Sequence, residues 1–147
     1  MSAASKLCRI LVVEDSDEDF DTVVQAVRKA GIMADVRRAK TGGDCLDLLR
    51  SASELRPAVV LMDLNTPGTD GREALVAIKL DDALKLLPVV VFTTSGDPRD
   101  LAFCYAAGAN AYHTKPVRYS DHLQLVIDLL TYWLERVTLM YPAGARS

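Results

Sequence analysis

An α/β fold on a single parallel sheet of five strands, with helices on both faces, is what this sequence predicts, on three observations. Short apolar runs alternate along the whole chain with stretches of helical period. The runs are continuously apolar rather than alternating, as expected of strands covered on both sides. Each run gives way to polar or turn-forming residues, so the polar ends gather at one edge if the strands run parallel.

The elements follow in order. Arg9 to Glu14, around Ile10-Leu11-Val12-Val13, is the first strand. Ser16 or Asp17 caps a helix running to about Ala30 and closed by Gly31. Met33 to Ala39 is a weaker second strand, mixed with Asp35, Arg37 and Arg38. Thr41 caps a helix that carries Cys45, Leu46, Leu48 and Leu49 to roughly Ala52. Val59 to Asp63 is the third strand, Pro67, Gly68 and Gly71 mark the loop behind it, and a helix covers Glu73 to Leu80. Pro88 to Thr93 is the fourth strand and the most purely β-branched. Pro98 suits the first turn of a helix through Ala107, which Gly108 stops. Asn110 to His113 is a short fifth strand, broken by Lys115-Pro116. Ser120 or Asp121 then caps a last helix reaching about Leu139.

That last helix is longer than the sheet needs. Leu123, Val126, Ile127, Leu130, Leu134 and Val137 form one stripe at helical spacing, and Leu125, Leu129, Tyr132, Trp133 and Met140 flank it. Asp121 to Leu139 spans roughly 28 Å at 1.5 Å per residue. The final turns, with Trp133, Val137, Leu139, Met140 and Tyr141, are therefore expected to project as an exposed apolar surface and to pair two copies of the chain. The alternative is that they fold back on their own domain.

The chain of 147 residues suits one domain with a real core, residues 8–135, and a helical extension over 133–141. Its 17 basic and 20 acidic residues leave a net charge of −3, with no basic face for nucleic acid. Cys8, Cys45 and Cys104 match neither a metal-ligand spacing nor a disulfide framework and read as buried thiols in a reducing compartment. No apolar stretch has the length of a signal peptide or membrane helix, so the expected location is the cytoplasm.

Open α/β sheets place their chemistry at the carboxyl ends of the strands. Glu14 and Asp15 end the first strand and Asp63 the third. Three converging carboxylates repel one another unless a cation sits among them, which makes this a candidate Mg²⁺ site. Thr93 ends the fourth strand, and Lys115 follows the fifth. An aspartate nucleophile, acidic metal ligands, a hydroxyl and an ammonium together suit phosphoryl transfer to a carboxylate. Each residue alone has a plainer reading: Asp63 as a cap or turn residue, Lys115 as a surface lysine, Tyr112 as a half-buried aromatic, Thr93 and Thr94 as strand formers. Their joint occurrence decides. His113 and His122 show no partner pattern.

These residues in this order, Glu14-Asp15, then Asp63-Leu64-Asn65-Thr66-Pro67-Gly68, Thr93, Tyr112 and Lys115-Pro116, resemble the receiver domain of two-component response regulators over about residues 8 to 135. The resemblance implies a flavodoxin-like, doubly wound (βα)5 fold in which Asp63 accepts a phosphoryl group from a histidine kinase. It implies Mg²⁺ on the Asp15 and Asp63 side chains and the Asn65 backbone carbonyl, with Glu14 helping through water. Lys115 and Thr93 would bind the phosphoryl group, and Thr93 and Tyr112 would form the switch that reshapes the face of helix four, strand five and helix five. Glu14 stands where many receivers carry Asp, and Asn65 and Ser95 sit where dephosphorylation is tuned.

The long final helix, the Asp-Leu-Asn-x-Pro-Gly motif and the lack of room for an output domain resemble stand-alone receivers that partner bacterial and cyanobacterial phytochrome kinases. A homodimer through the switch face and the extension (Trp133, Val137, Met140) is expected, with self-phosphorylation and slow hydrolysis as the only chemistry. Two other readings compete. A small Mg²⁺-dependent Asp-nucleophile phosphohydrolase would turn over phosphomonoesters, but no cap segment is present to enclose a substrate. A phosphorylation-independent adaptor would bind its target unchanged after Asp63→Asn. A nucleotide fold is disfavoured, because no glycine-rich loop follows the first strand.

Overall fold

The computed structural model describes residues 9–51, 56–66, 68 and 70–140. Cys8, Pro67 and Tyr141 lie outside the described residues. The elements are β1 (Ile10–Val13), α1 (Asp17–Ala30), β2 (Val36–Ala39), α2 (Gly42–Ser51), β3 (Val59–Met62), α3 (Gly71–Leu80), β4 (Val89–Thr93), α4 (Pro98–Ala107), β5 (Ala111–Thr114) and α5 (Tyr119–Thr131). All neighbouring strands pair in parallel, in the spatial order β2-β1-β3-β4-β5. The chain therefore winds outward from β1 in one direction and, from β3 onward, in the other. This reversal leaves a crevice at the carboxyl ends of β1 and β3.

The apolar runs are covered on both sides. Every residue of β1, β3 and β4 is buried. Side chains alternate across the sheet: Leu11, Val13, Val60, Met62, Val89 and Val91 face α2, α3 and α4, while Ile10, Val12, Leu61 and Phe92 face α1 and α5. Each fully buried aliphatic side chain contributes about 1.5–3 kcal/mol. Edge strand β2 carries the exposed Arg37 and is the shortest of its expected length, because Met33 and Asp35 precede the ladder.

Local signals hold the helix ends. The Ser16 hydroxyl accepts from the Asp19 amide, and Gly31 closes α1 at φ +69°. Asp70 and Glu73 form a reciprocal capping box at α3. Asp97 caps α4 ahead of Pro98. Cys45 and Cys104 are buried free thiols, and burial pushes the Cys45 thiol up to about 12.

The last helix departs from expectation at both ends. It begins at Tyr119 behind Arg118, without a side-chain cap from Ser120 or Asp121. Beyond Thr131 the chain makes a π turn over Tyr132–Arg136, in which the Val137 amide donates to the Tyr132 carbonyl, and Val137 itself is extended. The helix does not project. Arg9, just before β1, donates to the Leu134 carbonyl at 2.8 Å and lies 3.7 Å from the Glu135 carboxylate. Leu134 is buried, and Trp133 and Leu139 pack against the α1–α5 side of the core. The apolar stripe is thus drawn back onto its own domain, with Val137 half-buried and Met140 exposed. Among the described residues, no helix is long and apolar enough to cross a membrane.

Gly71 fixes where the site can form. A Cβ there would overlap the Asp63 carbonyl oxygen and lie 2.8 Å from the Leu64 Cα. The Gly71 amide donates to the Leu64 carbonyl at 3.1 Å, so α3 starts in direct contact with the backbone behind Asp63. Gly71→Ala is expected to destabilise the domain by about 1–3 kcal/mol through overpacking, read by urea unfolding, and to weaken divalent-cation binding at the same time.

Candidate functional site

The carboxyl edge of the sheet gathers the expected residues. Glu14 and Asp63 follow β1 and β3, whose registers are locked by pairs such as Val13 with Met62. Glu14 and Asp63 are buried, at 5% and 8% exposure, whereas Asp15 is exposed. Oxygens from Glu14, Asp15 and Asp63 all lie within 4.8 Å of one another. Such an all-oxygen, hard donor set fits a divalent cation such as Mg²⁺.

Lys115 enters this cluster from the loop behind β5, its backbone amide held by the Thr93 carbonyl at 2.7 Å. Its ammonium donates to Glu14 Oε1 at 2.6 Å, to Asp19 Oδ2 at 2.7 Å and to Asp63 Oδ2 at 3.0 Å. The other Asp63 oxygen accepts from the Asn65 amide at 3.1 Å, and Ser16 donates its amide to Glu14 Oε2. Arg38 braces the β1 end from outside, donating to the Glu14 carbonyl and to Asp17 while lying over the Phe20 ring.

The charges in this pocket are out of balance, and their titration reflects it. Burial pushes the Glu14 carboxyl up to about 7; Lys115 opposes the shift, and the Asp63 charge adds to it. Burial alone would lower the Lys115 ammonium, but its bonds to Asp19 and Glu14 and the nearby Asp63 charge outweigh that and raise it above the usual lysine range. Both directions keep protons in a pocket that holds more carboxylates than cations.

The structure also places the expected switch residues. Thr93 is fully buried, and its hydroxyl oxygen accepts from the Ser95 amide at 3.3 Å and from Asn65 Nδ2 at 3.4 Å. Tyr112 is half-buried on β5 and donates its hydroxyl to the Ser95 carbonyl at 2.8 Å. Ser95 in turn donates its hydroxyl to Asp100, which Arg72 grips with two bonds of 2.9 Å. His122 is buried on α5 against the Phe92 ring, and His113 lies on β5.

Sequence reading missed two sets of residues. Asp19 belongs to the acidic first turn of α1 and reads as a complement to the helix dipole. Arg72 and Asp100 are 28 positions apart and meet only because α3 and α4 lie side by side. Of the three candidate interface residues, Met140 is open to a partner, Val137 partly so, and Trp133 packs on its own core.

The response regulator receiver domain, as a family pattern, matches residues 10–127. Response regulator Rcp1 of Synechocystis sp. is 37% identical over 134 residues, covering 88% of this chain and 91% of its own length. The crystal structure of the phosphorylated cyanobacterial phytochrome response regulator RcpA superposes with a TM-score of 0.87 at 34% identity, covering 91% of this chain and 99% of that one. The Mn²⁺-bound form of Rcp1 gives a TM-score of 0.82 at 36% identity, over 90% and 98% of the two chains.

A pH dependence follows from Glu14. A carboxyl titrating near 7 is protonated below that value, and a cation must displace its proton. Apparent divalent-cation affinity is therefore expected to weaken roughly tenfold between pH 8 and pH 6. Calorimetric titrations check this, and Glu14→Gln should flatten the profile.

Proposed function

The chain belongs to the response regulator receiver family, and from that premise we propose that Asp63 is its phosphoacceptor, Mg²⁺ its cation and a sensor histidine kinase its phosphodonor. Phosphorylation of an aspartate is the general mechanism of receivers, and these domains bind a divalent metal. The observation that carries the assignment is the meeting of Asp63 with Lys115 and with two further carboxylates at the β1–β3 crevice.

In this reading an Asp63 oxygen attacks the phosphorus of a phosphohistidine. A P–O bond forms, the P–N bond breaks, and the imidazole leaves with the electron pair and is protonated from solvent. Asp15 and Asp63 side chains and the Asn65 carbonyl would hold Mg²⁺, with Glu14 assisting; when bound, the ion neutralises the carboxylates and the phosphoryl oxygens. Lys115 is already hydrogen-bonded to the accepting carboxylate and passes that bond to a phosphoryl oxygen. Thr93 Oγ1 gives up its acceptor contacts and donates to another. Ser95 is tied to both Thr93 and the Tyr112 hydroxyl, so a shift of Thr93 loosens Tyr112 and lets its ring turn. That is a local charge event read out by a bistable surface.

The surface concerned is rich in exposed apolar groups. Leu101 and Tyr105 on α4 are exposed, as are Tyr132 and Met140 beyond α5, while the exposed Val117 and Tyr119 line a groove shared with α1. This supports a homodimer across α4, β5 and α5, with Met140 and Val137 at its margin and Trp133 bracing the turn from beneath. The likeness to RcpA, a phytochrome response regulator, supports a phytochrome-type kinase as the donor. Phosphoryl uptake and hydrolysis then complete the chain's own chemistry.

Intact mass after incubation with Mg²⁺ and acetyl phosphate tests the assignment. One added phosphoryl group is expected, absent without Mg²⁺ and absent in Asp63→Asn, and Thr93→Ala should retain uptake while losing any shift in gel-filtration elution. No adduct on the folded protein would favour the docking adaptor instead.

A further inference from the structure

We propose that Asp19 is a positioning residue for phosphoryl transfer, holding the Lys115 ammonium in place through a carboxylate that the cation site does not use. The inference rests on the reading of Asp63 as phosphoacceptor. An ammonium has three N–H donors, and here each has an acceptor: Glu14, Asp19 and Asp63. Two of these acceptors, Glu14 and Asp63, also belong to the oxygen cluster that suits a cation, whereas Asp19 does not. Whatever draws on Glu14 and Asp63, whether cation or phosphoryl group, leaves Asp19 as the one partner still committed to the lysine.

The surroundings make that partner matter. The Lys115 side chain is only 3% exposed, so water does not readily replace a lost acceptor. A lysine stem is flexible and its head is a compact point charge, so its position depends on its partners. Only a cavity of about 10 Å³, little more than one water probe, lies beside these acceptors, lined by Glu14, Asp19, Asp63 and Phe92, and the Phe92 ring centre is 5.8 Å from the ammonium. The Asp19 backbone is fixed by the start of α1. Its amide donates to the Ser16 hydroxyl at 3.2 Å in the first turn of α1, and its carboxylate is 31% exposed. A group displaced by an ångström or so from the reacting oxygens loses a large part of the rate.

The test compares wild type, Asp63→Asn, Asp19→Asn and Asp19→Glu with acetyl phosphate and Mg²⁺, in which the P–O bond breaks and acetate leaves. Three quantities are read: the rate of phosphoryl uptake at saturating donor, Mg²⁺ affinity by calorimetry, and the nuclear magnetic resonance signal of the Lys115 ammonium with Mg²⁺ present. Asp19→Asn is expected to slow uptake about tenfold or more. Its Mg²⁺ affinity should stay within about fivefold, the effect of one partly exposed charge. The ammonium signal should broaden into solvent exchange, and Asp19→Glu should restore most of the rate. Uptake at the wild-type rate in Asp19→Asn overturns the proposal, as does equal slowing in both variants with Mg²⁺ affinity lost. Should Asp19→Asn fail to fold, Asp19→Ser takes its place in the same comparison. Absence of uptake in wild type would instead overturn the phosphoacceptor reading, which separates the two failures.

Discussion

Three carboxylates converge on one buried ammonium, and the rest of the site is arranged around that fact. Removing a charge from water costs several kcal/mol, and only close, well-aligned partners offset it. Lys115 has such partners at 2.6, 2.7 and 3.0 Å, yet one ammonium does not balance three carboxylates, and Asp15 adds a fourth beside them. A pocket in that condition gains from positive charge. The surplus explains why a hard cation fits here, while burial, with the Asp63 charge adding to it, holds the Glu14 proton to about 7.

The sheet makes this convergence unavoidable. Parallel pairing of β1 with β3 sets Val13 beside Met62, so the residues that follow them, Glu14 and Asp63, emerge side by side. Pairing of β4 with β5 does the same for Thr93 and the chain leading to Lys115. Gly71 then lets α3 press against the backbone of Asp63 and Leu64, which holds the loop behind β3 close to the crevice. Apolar packing beneath supplies the stability, and the polar ends inherit their geometry from it. A second layer runs through Tyr112, Ser95, Asp100 and Arg72, joining β5, the loop after β4, and the starts of α4 and α3.

Most of this was legible in the sequence because it is local. Apolar runs name the strands, and Ser16, Gly31, Pro98 and Gly108 mark helix ends whose caps the structure reproduces. The acidic and basic strand ends converge by parallel topology alone, so Asp63, Glu14, Asp15 and Lys115 needed no knowledge of packing. Asp19 was hidden because a first-turn acid has a sufficient local explanation, and its contact with Lys115 crosses 96 positions. Arg72 and Asp100 were hidden for the same reason. The end of α5 was misjudged because helical period says which residues are apolar but not where the axis stops. At that point Arg9, reaching from the far end of the chain, donates to the Leu134 carbonyl, a contact no periodicity reveals.

The Arg9 contact bears on the order in which the domain assembles. It joins positions 125 residues apart, and the entropy of closing so long a loop is lost before any contact returns it. Such a closure comes late, once the sheet has brought both ends near. The π turn over Tyr132–Arg136 is therefore expected to dock after the sheet has formed and to open locally, at a free energy below that of unfolding the whole domain. Amide hydrogen exchange would register it as a fast-exchanging cap on a slow core. Any molecule that grips the lifted turn shifts that opening in its own favour, without disturbing the sheet.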